Sequence, residues 1–222
     1  MNQDKLIIFD LDNTLYDFDH HWENGHTQVF QQLKLDNEID YHLFMEIYRK
    51  EDNKLWQQLN KDEITLSELR AYRPINTLKC FGKNLSYREG EAFYALMFKY
   101  LISDIQIDKE INKLLEKLSA VYKLAILTNG FAKEQKMKIK KLDIVDYFTN
   151  IYISENIGIE KPMLEAFQKV LANESVLPKN TLMVGDSLRN DIMPAKRLGI
   201  NTLHLSYSEL KIYEFSEILK GN

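Results

Sequence analysis

The stretch IIFDLDNTLYDFD, residues 7–19, decides how the rest of the chain is interpreted. The apolar run from Leu6 to Phe9 has the length and composition of a strand that is buried on both faces. This strand ends at Asp10, and a second aspartate, Asp12, follows two positions later. Two carboxylates directly after a core strand indicate a functional site, with a simple turn as the alternative interpretation.

The composition predicts one main domain with a sizeable insertion. The chain has 222 residues, of which 45% are hydrophobic and 28% are charged, so it can bury a core but is short for two full domains. The net charge of −4 argues against a surface for nucleic acid or anionic lipid, because such surfaces need clustered Lys and Arg. We therefore expect neither a nucleic acid polymer nor a membrane among the partners.

The ends and the cysteine content predict a soluble, cytoplasmic protein. Cys80 is alone, which excludes an internal disulfide, and the N-terminal segment MNQDKLIIFD lacks the regions of a signal peptide. No window approaches the roughly 18 uninterrupted apolar residues of a membrane span. The expected assembly is a monomer or a homodimer.

Helical and strand-like patterns alternate from about residue 104 onward, and such alternation predicts an α/β fold with a parallel sheet. The first strand, residues 5–9, belongs to the same sheet by its apolar run. We assign residues 1–15 and 104–222 to this core. Its later segments are, in chain order, the helix DKEINKLLEKLSA, the strand VYKLAILT, the helix AKEQKMKIKKL, the strand NIYIS, the helix MLEAFQKVLANE, the strand TLMVG, the helix DIMPAKRLG and the strand INTLHL.

Residues 16–103 have a different pattern, with apolar residues at spacings of three and four and no convincing strand. This pattern predicts a helical block that is inserted after the first strand. The hinges of the block are expected near Tyr16 to Asp19 and Ile102 to Ile105.

Polar residues interrupt the core pattern at four places, each just past a predicted strand. They are Asp10 with Asp12, the TNG of Thr128 to Gly130, Lys161 in EKP, and GDSLRND at residues 185–191. Ligands bind at the carboxyl ends of the strands in an open parallel sheet, so these groups are expected to converge. Taken singly, TNG is also a common turn, Lys161 an ordinary lysine before a proline, and Asp191 an acid at a helix start.

The chemistry of this set points to phosphate. It contains several carboxylates, one hydroxyl, one ammonium and a glycine that lets backbone N–H groups approach a ligand. Clustered carboxylates repel one another unless a cation lies among them, and an all-oxygen set suits Mg²⁺ together with substrate phosphate oxygens. A metal-assisted phosphoryl transfer satisfies all of these requirements.

Together the four motifs resemble those of the haloacid dehalogenase-like hydrolases. DLDNTL is similar to the first motif, LTNG to the second, Lys161 to the third and GDSLRND to the fourth. The helical block is similar to the C1-type cap of this family. The resemblance implies a Rossmann-like core whose first strand carries the nucleophile, with the cap closing over the active site.

A narrower resemblance concerns the substrate. NKLWQQLNKDEITLSELR in the helical block and TNGF…Q in the core resemble a group of 5′-nucleotidases that act on pyrimidine and non-standard nucleoside monophosphates. The substrate implied is a small phosphomonoester. A phosphatase or phosphomutase for a small sugar phosphate or phosphoglycolate is the alternative, because those enzymes share the same core chemistry.

The family resemblance assigns roles to the two N-terminal aspartates. Asp10 attacks phosphorus and becomes an aspartyl-phosphate, which splits one displacement into two easier ones. Asp12 protonates the leaving alkoxide and then deprotonates the attacking water. The dehalogenases of the family lack this second aspartate, so Asp12 favours phosphate chemistry. A non-catalytic phosphate-binding protein would be expected to have lost one of the four motifs, and none is lost.

The resemblance also implies the ligands of Mg²⁺ and phosphate. The metal is bound by Asp10, by the backbone carbonyl of Asp12 and by Asp186, while Asp191 orients these ligands. The phosphoryl oxygens are bound by four groups: the Thr128 hydroxyl, the N–H groups of Asn129 and Gly130, and the ammonium of Lys161.

Two groups of residues in and near the helical block are less specific. Aromatic residues near its expected inner face or hinges can offer a surface on which a base stacks, although helix packing is the common role for such residues; they are Tyr16, Phe18, Trp22, Trp56 and Tyr72. His20, His21 and His26 have helical spacing and no nearby cysteine, so they are predicted to be surface residues and not metal ligands.

Overall fold

The structure is a computed structural model that describes residues 5–59 and 61–213. Residues 1–4 and 214–222 of the predicted core, and residue 60 of the predicted helical block, lie outside the described residues. The chain divides into two compact units, one formed by residues 1–19 and 105–222 and the other by residues 20–104.

The first unit contains a five-stranded sheet in which all neighbouring strands are parallel, in the order β3-β2-β1-β4-β5. The α/β fold predicted from the alternating pattern is confirmed. Each observed strand lies within or at the predicted segment: β1 (Leu6–Phe9), β2 (Lys123–Thr128), β3 (Asn150–Ile153), β4 (Thr181–Gly185) and β5 (Asn201–His204).

Strand β1 lies in the centre of the sheet and is buried along its whole length, as its apolar run predicts. Ile8 pairs with Ala125 on one side and with Met183 on the other. Leu6 and Ile8 belong to a core cluster that contains Phe167, whereas the Phe9 ring packs edge-on against the Phe148 ring 6.2 Å away. Because successive side chains of a strand point to opposite faces, β1 holds both faces of the sheet together.

Helices connect the strands of this unit. Asp108 caps the first of them by accepting hydrogen bonds from two backbone N–H groups. The short helices after β3 and β5 have no counterpart in the predicted pattern. The helices are α5 (Lys109–Ser119), α6 (Ala132–Lys141), α7 (Ser154–Ile157), α8 (Leu164–Glu174), α9 (Met193–Arg197) and α10 (Tyr207–Ile212).

The segment after β4 begins with a wide helical turn and not with a regular helix. Ser187 accepts a hydrogen bond from Asn190 N–H and so caps this turn, which runs from Leu188 to Ile192. Helix α9 follows, and Pro194 lies in its first turn, where the missing N–H costs little.

The second unit is helical, which confirms the insertion of a helical block after the first strand. Its helices are α1 (Phe18–Gln32), which begins two residues before the unit, α2 (Tyr41–Leu59), α3 (Leu66–Lys79) and α4 (Tyr87–Asp104). Helices α3 and α4 approach closely at Gly90, where an added Cβ would lie 2.5 Å from the carbonyl oxygen of Ala71. In the described residues no helix is both long and apolar enough to cross a membrane.

The surface prediction for the three histidines is wrong for His26. Its ring is fully buried between Trp22 and Tyr48, and Nδ1 lies 2.8 Å from the carbonyl oxygen of Trp22. Burial lowers the pKa of His26 to about 3, so the ring is neutral at physiological pH. His20 is exposed and His21 is half-buried.

Candidate active site

A buried lysine joins the ends of two strands and the loop that follows a third. Lys161 Nζ donates hydrogen bonds of 2.6 Å to Asp10 Oδ1, after β1, and of 2.6 Å to Asp191 Oδ1, after β4. All three side chains are buried. A buried ammonium is costly unless it is paired, and two carboxylates supply this pairing. Three of the predicted site residues therefore meet in one cluster.

Asp186 joins the same cluster through Thr14. The Thr14 hydroxyl lies 3.3 Å from Asp186 Oδ1 and accepts a hydrogen bond from the backbone N–H of Asp186 at 3.1 Å. Asp10, Asp186 and Asp191 each offer a carboxylate oxygen, and these oxygens lie within 4.8 Å of one another. The cluster is thus an all-oxygen donor set of the kind that hard divalent cations bind. Asp191, predicted to orient the ligands, itself offers one of the oxygens.

Burial changes the protonation equilibria of this cluster. It raises the pKa of Asp10 to about 8, although the Lys161 ammonium acts in the opposite direction. Burial alone would lower the pKa of Lys161, but the charges of Asp10 and Asp191 outweigh it and raise the pKa. Partial burial and the charge of Asp191 also raise the pKa of Asp186. The carboxylates outnumber the ammonium, so a divalent cation would lower the free energy of the ionised cluster.

The LTNG segment at the end of β2 supports Lys161 through its asparagine. Asn129 Nδ2 donates to the Lys161 carbonyl at 2.8 Å, and the Lys161 N–H donates to Asn129 Oδ1 at 2.9 Å. The Gly130 N–H donates to Ser154 Oγ at 2.9 Å. This N–H was predicted to bind phosphate, and here it is engaged within the protein; it must exchange that partner before it can bind a ligand.

Gly185 is a glycine because a carboxylate packs against its Cα. A Cβ at this position would lie 2.5 Å from Asp191 Oδ2, far inside van der Waals contact. Asp191 Oδ2 also accepts a hydrogen bond of 3.1 Å from the Ser187 N–H. The glycine of the GDSLRND motif therefore makes room for Asp191.

Asp12 has its own set of partners, which the sequence analysis did not assign. Lys138 Nζ lies 2.9 and 3.0 Å from the two carboxylate oxygens of Asp12. The Tyr16 hydroxyl donates to Oδ1 at 2.6 Å, and Gln135 Nε2 donates to Oδ2 at 3.1 Å. Gln135 Nε2 also lies 2.6 Å from Thr128 Oγ1, which links Asp12 to the second motif.

The sequence contains two signals for these partners of Asp12, one for Gln135 and one for Lys138. Gln135 is the glutamine of the TNGF…Q pattern, and Lys138 lies three residues later on α6, so both side chains project from the same face of the helix. Helix α6 carries four other lysines, so composition alone does not single out Lys138.

The predicted stacking residues divide into two groups. Tyr16 is 2% exposed and bonded to Asp12, so its assignment to a base-stacking surface is wrong. The Phe18 ring lies 4.3 Å from Lys138 Nζ, as a cation–π contact. Trp22, Trp56 and Tyr72 are half-buried in the helical unit.

Comparisons with known proteins identify the family of this chain. The family described as "Haloacid dehalogenase-like hydrolase" matches residues 7–205. Pyrimidine 5′-nucleotidase PynA of Streptococcus pneumoniae is 31% identical over 202 residues, which are 90% of this chain and 82% of that protein. A glyceraldehyde 3-phosphate phosphatase of Methanocaldococcus jannaschii is 29% identical over 221 residues, 96% of this chain and 91% of that protein.

A solved structure shares the fold. The haloacid dehalogenase-like hydrolase YfnB from Bacillus subtilis, crystallised bound to magnesium, superimposes with a TM-score of 0.79 at 24% identity over 90% of this chain and 88% of that chain. The family match spans nearly the whole chain and includes all four motifs. The chain belongs to the haloacid dehalogenase-like hydrolase family.

Proposed function

We propose that this chain is a Mg²⁺-dependent phosphomonoester hydrolase that works through an aspartyl-phosphate on Asp10. In this proposal the catalytic core consists of residues 1–15 and 104–222, and the cap of residues 16–103. The two compact units of the structure, residues 1–19 with 105–222 and residues 20–104, differ from these bounds by four residues at one end and one residue at the other. The favoured substrates are nucleoside 5′-monophosphates, pyrimidines first.

One observation carries the proposal: a buried ammonium lies between two carboxylates, with a third carboxylate beside them, at the ends of neighbouring parallel strands. Lys161 Nζ contacts Asp10 and Asp191 at 2.6 Å each, and Asp186 completes the group. A structural ion pair needs one carboxylate for each ammonium. The surplus of negative charge at a ligand-binding edge of the sheet is a property of a cation site.

The donor set fits Mg²⁺. Its protein ligands are all oxygens, and Asp10, Asp186 and the backbone carbonyl of Asp12 are the residues that would bind the ion, with Asp191 beside them. A bound Mg²⁺ would neutralise charge on the phosphate and on Asp10. That effect opposes the burial that raises the pKa of Asp10, and so keeps the nucleophile ionised.

The first step of the proposed reaction forms the aspartyl-phosphate. A carboxylate oxygen of Asp10 attacks phosphorus, the bond between phosphorus and the leaving oxygen breaks, and Asp12 donates its proton to that oxygen. Lys161 stabilises the negative charge on the phosphoryl oxygens. The Thr128 hydroxyl and the Asn129 N–H bind them, and so does the Gly130 N–H once it has left Ser154 Oγ. Positioning and electrostatics supply most of the acceleration.

The second step releases phosphate. Asp12, now a carboxylate, accepts a proton from a water molecule as that water attacks phosphorus. The bond between phosphorus and the Asp10 oxygen breaks, which restores both aspartates to their starting states. Lys161 remains paired with Asp10 through both steps and reduces the charge that accumulates on the departing carboxylate.

The substrate proposal rests on the relatives and on the helical unit. A pyrimidine nucleotidase and a glyceraldehyde phosphatase match this chain over most of its length at 31% and 29% identity. The half-buried Trp22 and Trp56 are large aromatic side chains of the unit that the proposal assigns to the cap. A base can stack on such a ring, whereas a three-carbon sugar phosphate cannot.

The first prediction concerns the nucleophile. Asp10→Asn keeps the shape of the side chain but removes the anionic oxygen, so hydrolysis of any phosphomonoester should fall by several orders of magnitude. Steady-state assays with a 5′-nucleotide and with p-nitrophenyl phosphate measure the loss. Asp19→Asn, at an exposed aspartate, is the matched control and should retain activity. Near-normal turnover by Asp10→Asn would contradict the mechanism.

The second prediction concerns the metal. EDTA should abolish activity, and added Mg²⁺ should restore it, because the clustered carboxylates need a cation to stay ionised together. Ca²⁺ should inhibit, since its larger and looser coordination shell misplaces the nucleophile against phosphorus. Activity is measured after exhaustive chelation and after return of each ion. Full turnover in chelator would exclude the metal-assisted reaction.

The third prediction concerns the substrate. Pyrimidine nucleoside 5′-monophosphates should have a kcat/KM at least about tenfold above those of ribose 5-phosphate, glucose 6-phosphate and glyceraldehyde 3-phosphate, equivalent to about 1.4 kcal/mol of transition-state discrimination. All substrates are assayed with Mg²⁺ under one set of conditions. A smaller ratio, or a preference for glyceraldehyde 3-phosphate, would replace the nucleotidase assignment and leave the phosphatase chemistry in place.

A further inference from the structure

We propose that Lys138, together with Gln135 and Tyr16, is a positioning residue that fixes the carboxylate of Asp12. This inference rests on the proposed function, because it assigns Asp12 the role of proton donor and acceptor. Lys138 lies outside the four motifs that carry the chemistry.

The geometry of the contact is specific. Lys138 Nζ is nearly equidistant from both oxygens of Asp12, at 2.9 and 3.0 Å, so the ammonium bisects the carboxylate. The Tyr16 hydroxyl and the Gln135 amide each bind a different one of these oxygens. A carboxylate that is held at both oxygens has no freedom to rotate about its last bond while these contacts last.

The residues that donate hydrogen bonds to Asp12 are more deeply buried than Asp12 itself. Lys138 is 5% exposed, Gln135 1% and Tyr16 2%, whereas the side chain of Asp12 is 25% exposed. The Phe18 ring covers Lys138 on another side. These buried donors fix the ionised carboxylate of Asp12, which is the form that accepts a proton from water in the second step, and its exposed side is the side on which a proton can arrive.

Two lysines thus separate two neighbouring aspartates. Lys161 pairs with Asp10, and Lys138 pairs with Asp12. Each of these two carboxylates therefore has a lysine ammonium of its own within hydrogen-bond distance. In this proposal Lys138 fixes the direction in which the carboxylate of Asp12 points.

A double-mutant cycle tests this role. Lys138→Met keeps the aliphatic stem but removes the charge, so Asp12 should lose its position and kcat for a 5′-nucleotide should fall by about 10²-fold, with KM nearly unchanged. Lys138→Arg should recover most of the rate. In an Asp12→Asn background the same Lys138→Met change should have an effect of less than about threefold, because the carboxylate to be positioned is gone.

Leaving-group dependence provides a second measurement. Nitrophenolate leaves without a proton, so the loss from Lys138→Met should be smaller with p-nitrophenyl phosphate than with the nucleotide. Lys136→Met, at an exposed lysine of α6, is the control and should resemble the wild type. Equal losses in both Asp12 backgrounds, or a raised KM with normal kcat, would overturn the positioning role. An inactive wild type would instead overturn the proposed function, and this inference with it.

A second observation, in the helical unit, points to a transition-metal site. One nitrogen each of His20 and His21 and one oxygen of Asp104 lie within 4.8 Å of one another. His21 Nδ1 is 2.6 Å from Asp104 Oδ2, and Asn24 Nδ2 lies 3.0 Å both from His20 Nε2 and from that same oxygen. We infer that these three side chains bind a divalent ion such as Zn²⁺.

The ligand chemistry distinguishes this site from the oxygen cluster of the core. Imidazole favours Zn²⁺, Ni²⁺ and Cu²⁺ over Mg²⁺, and two histidines with one carboxylate leave a fourth position for water. In a tetrahedral site with bonds of about 2.0–2.1 Å, ligand atoms lie about 3.3 Å apart, so His21 and Asp104 need to separate by less than about 1 Å. Asn24 would orient the ligands from outside the site.

The position of the site suggests its effect. His20 and Asp104 are the first and last residues of the helical unit. An ion bound to both would join the first turn of α1 to the last turn of α4, and because the site exists only in the folded unit, binding would favour the folded state. The expected effect of the ion is therefore on the stability of the helical unit.

Zinc binding to the full chain tests this proposal. With Mg²⁺ in excess to occupy the oxygen cluster, Zn²⁺ should bind at one site per chain with a Kd of about 10 μM or lower, and it should raise the thermal midpoint. His20→Gln, His21→Gln and Asp104→Asn should each weaken binding by at least about tenfold, whereas His42→Gln, at an exposed histidine of α2, should not.

Cobalt gives a direct readout of the ligands. Co²⁺ in place of Zn²⁺ should show the visible absorption of a tetrahedral site, and that absorption should disappear in His20→Gln, a change at an exposed side chain that leaves the packing of the helices intact. Far-UV circular dichroism checks the fold of each variant. Zinc affinity that is unchanged in both histidine variants, or binding only above about 1 mM, would overturn the site.

Discussion

The pairing of one buried ammonium with two buried carboxylates is the interaction on which the core depends. Lys161 follows β3, and its partners Asp10 and Asp191 follow β1 and β4. Asn129, after β2, holds the backbone of the lysine. Desolvating these charges is costly, and only the complete cluster compensates for it. The ends of four strands are therefore held in place by one charged group and its supports.

The order of the strands makes this cluster possible. Strand β1 lies at the centre of the sheet, between β2 and β4. Strands β2 and β3 are added on one side of β1 and strands β4 and β5 on the other, so the carboxyl ends of β2, β1 and β4 lie next to one another. Parallel strands place every such end on the same edge. Asp10 and Asp191 are 181 positions apart in the sequence, yet the topology of the sheet brings their carboxylate oxygens within 4.8 Å of each other.

The sequence predicted the structure well where a residue type fits only one kind of environment, such as an apolar run in the core. The apolar run of β1 predicted a central strand, and polar residues after four strands predicted where the cluster forms, because a charged residue at the end of a core strand must find a partner nearby. It was less informative where the burial or hydrogen bonding of a residue depends on a residue that is distant in the sequence. His26 is buried against rings from other helices, and Gly130 donates to Ser154, and neither fact has a local pattern. Asp104 lies 83 residues from His21, so helical spacing alone could not join them.

Lys138 shows the same limit in the chemistry of the site. Two aspartates that are two residues apart on one chain would have similar environments if both drew on the same cation. They differ because Lys161 is shared with a second carboxylate, Asp191, whereas Lys138 contacts both oxygens of Asp12. One aspartate lies in a crowded anionic cluster that favours a bound cation, and the other is held by a single charge and two neutral donors. In the proposed mechanism, the different roles of Asp10 as nucleophile and Asp12 as proton carrier therefore depend on which lysine contacts each of them. Helix α6 contains five lysines, and only the folded structure shows that Lys138 is the one that contacts Asp12.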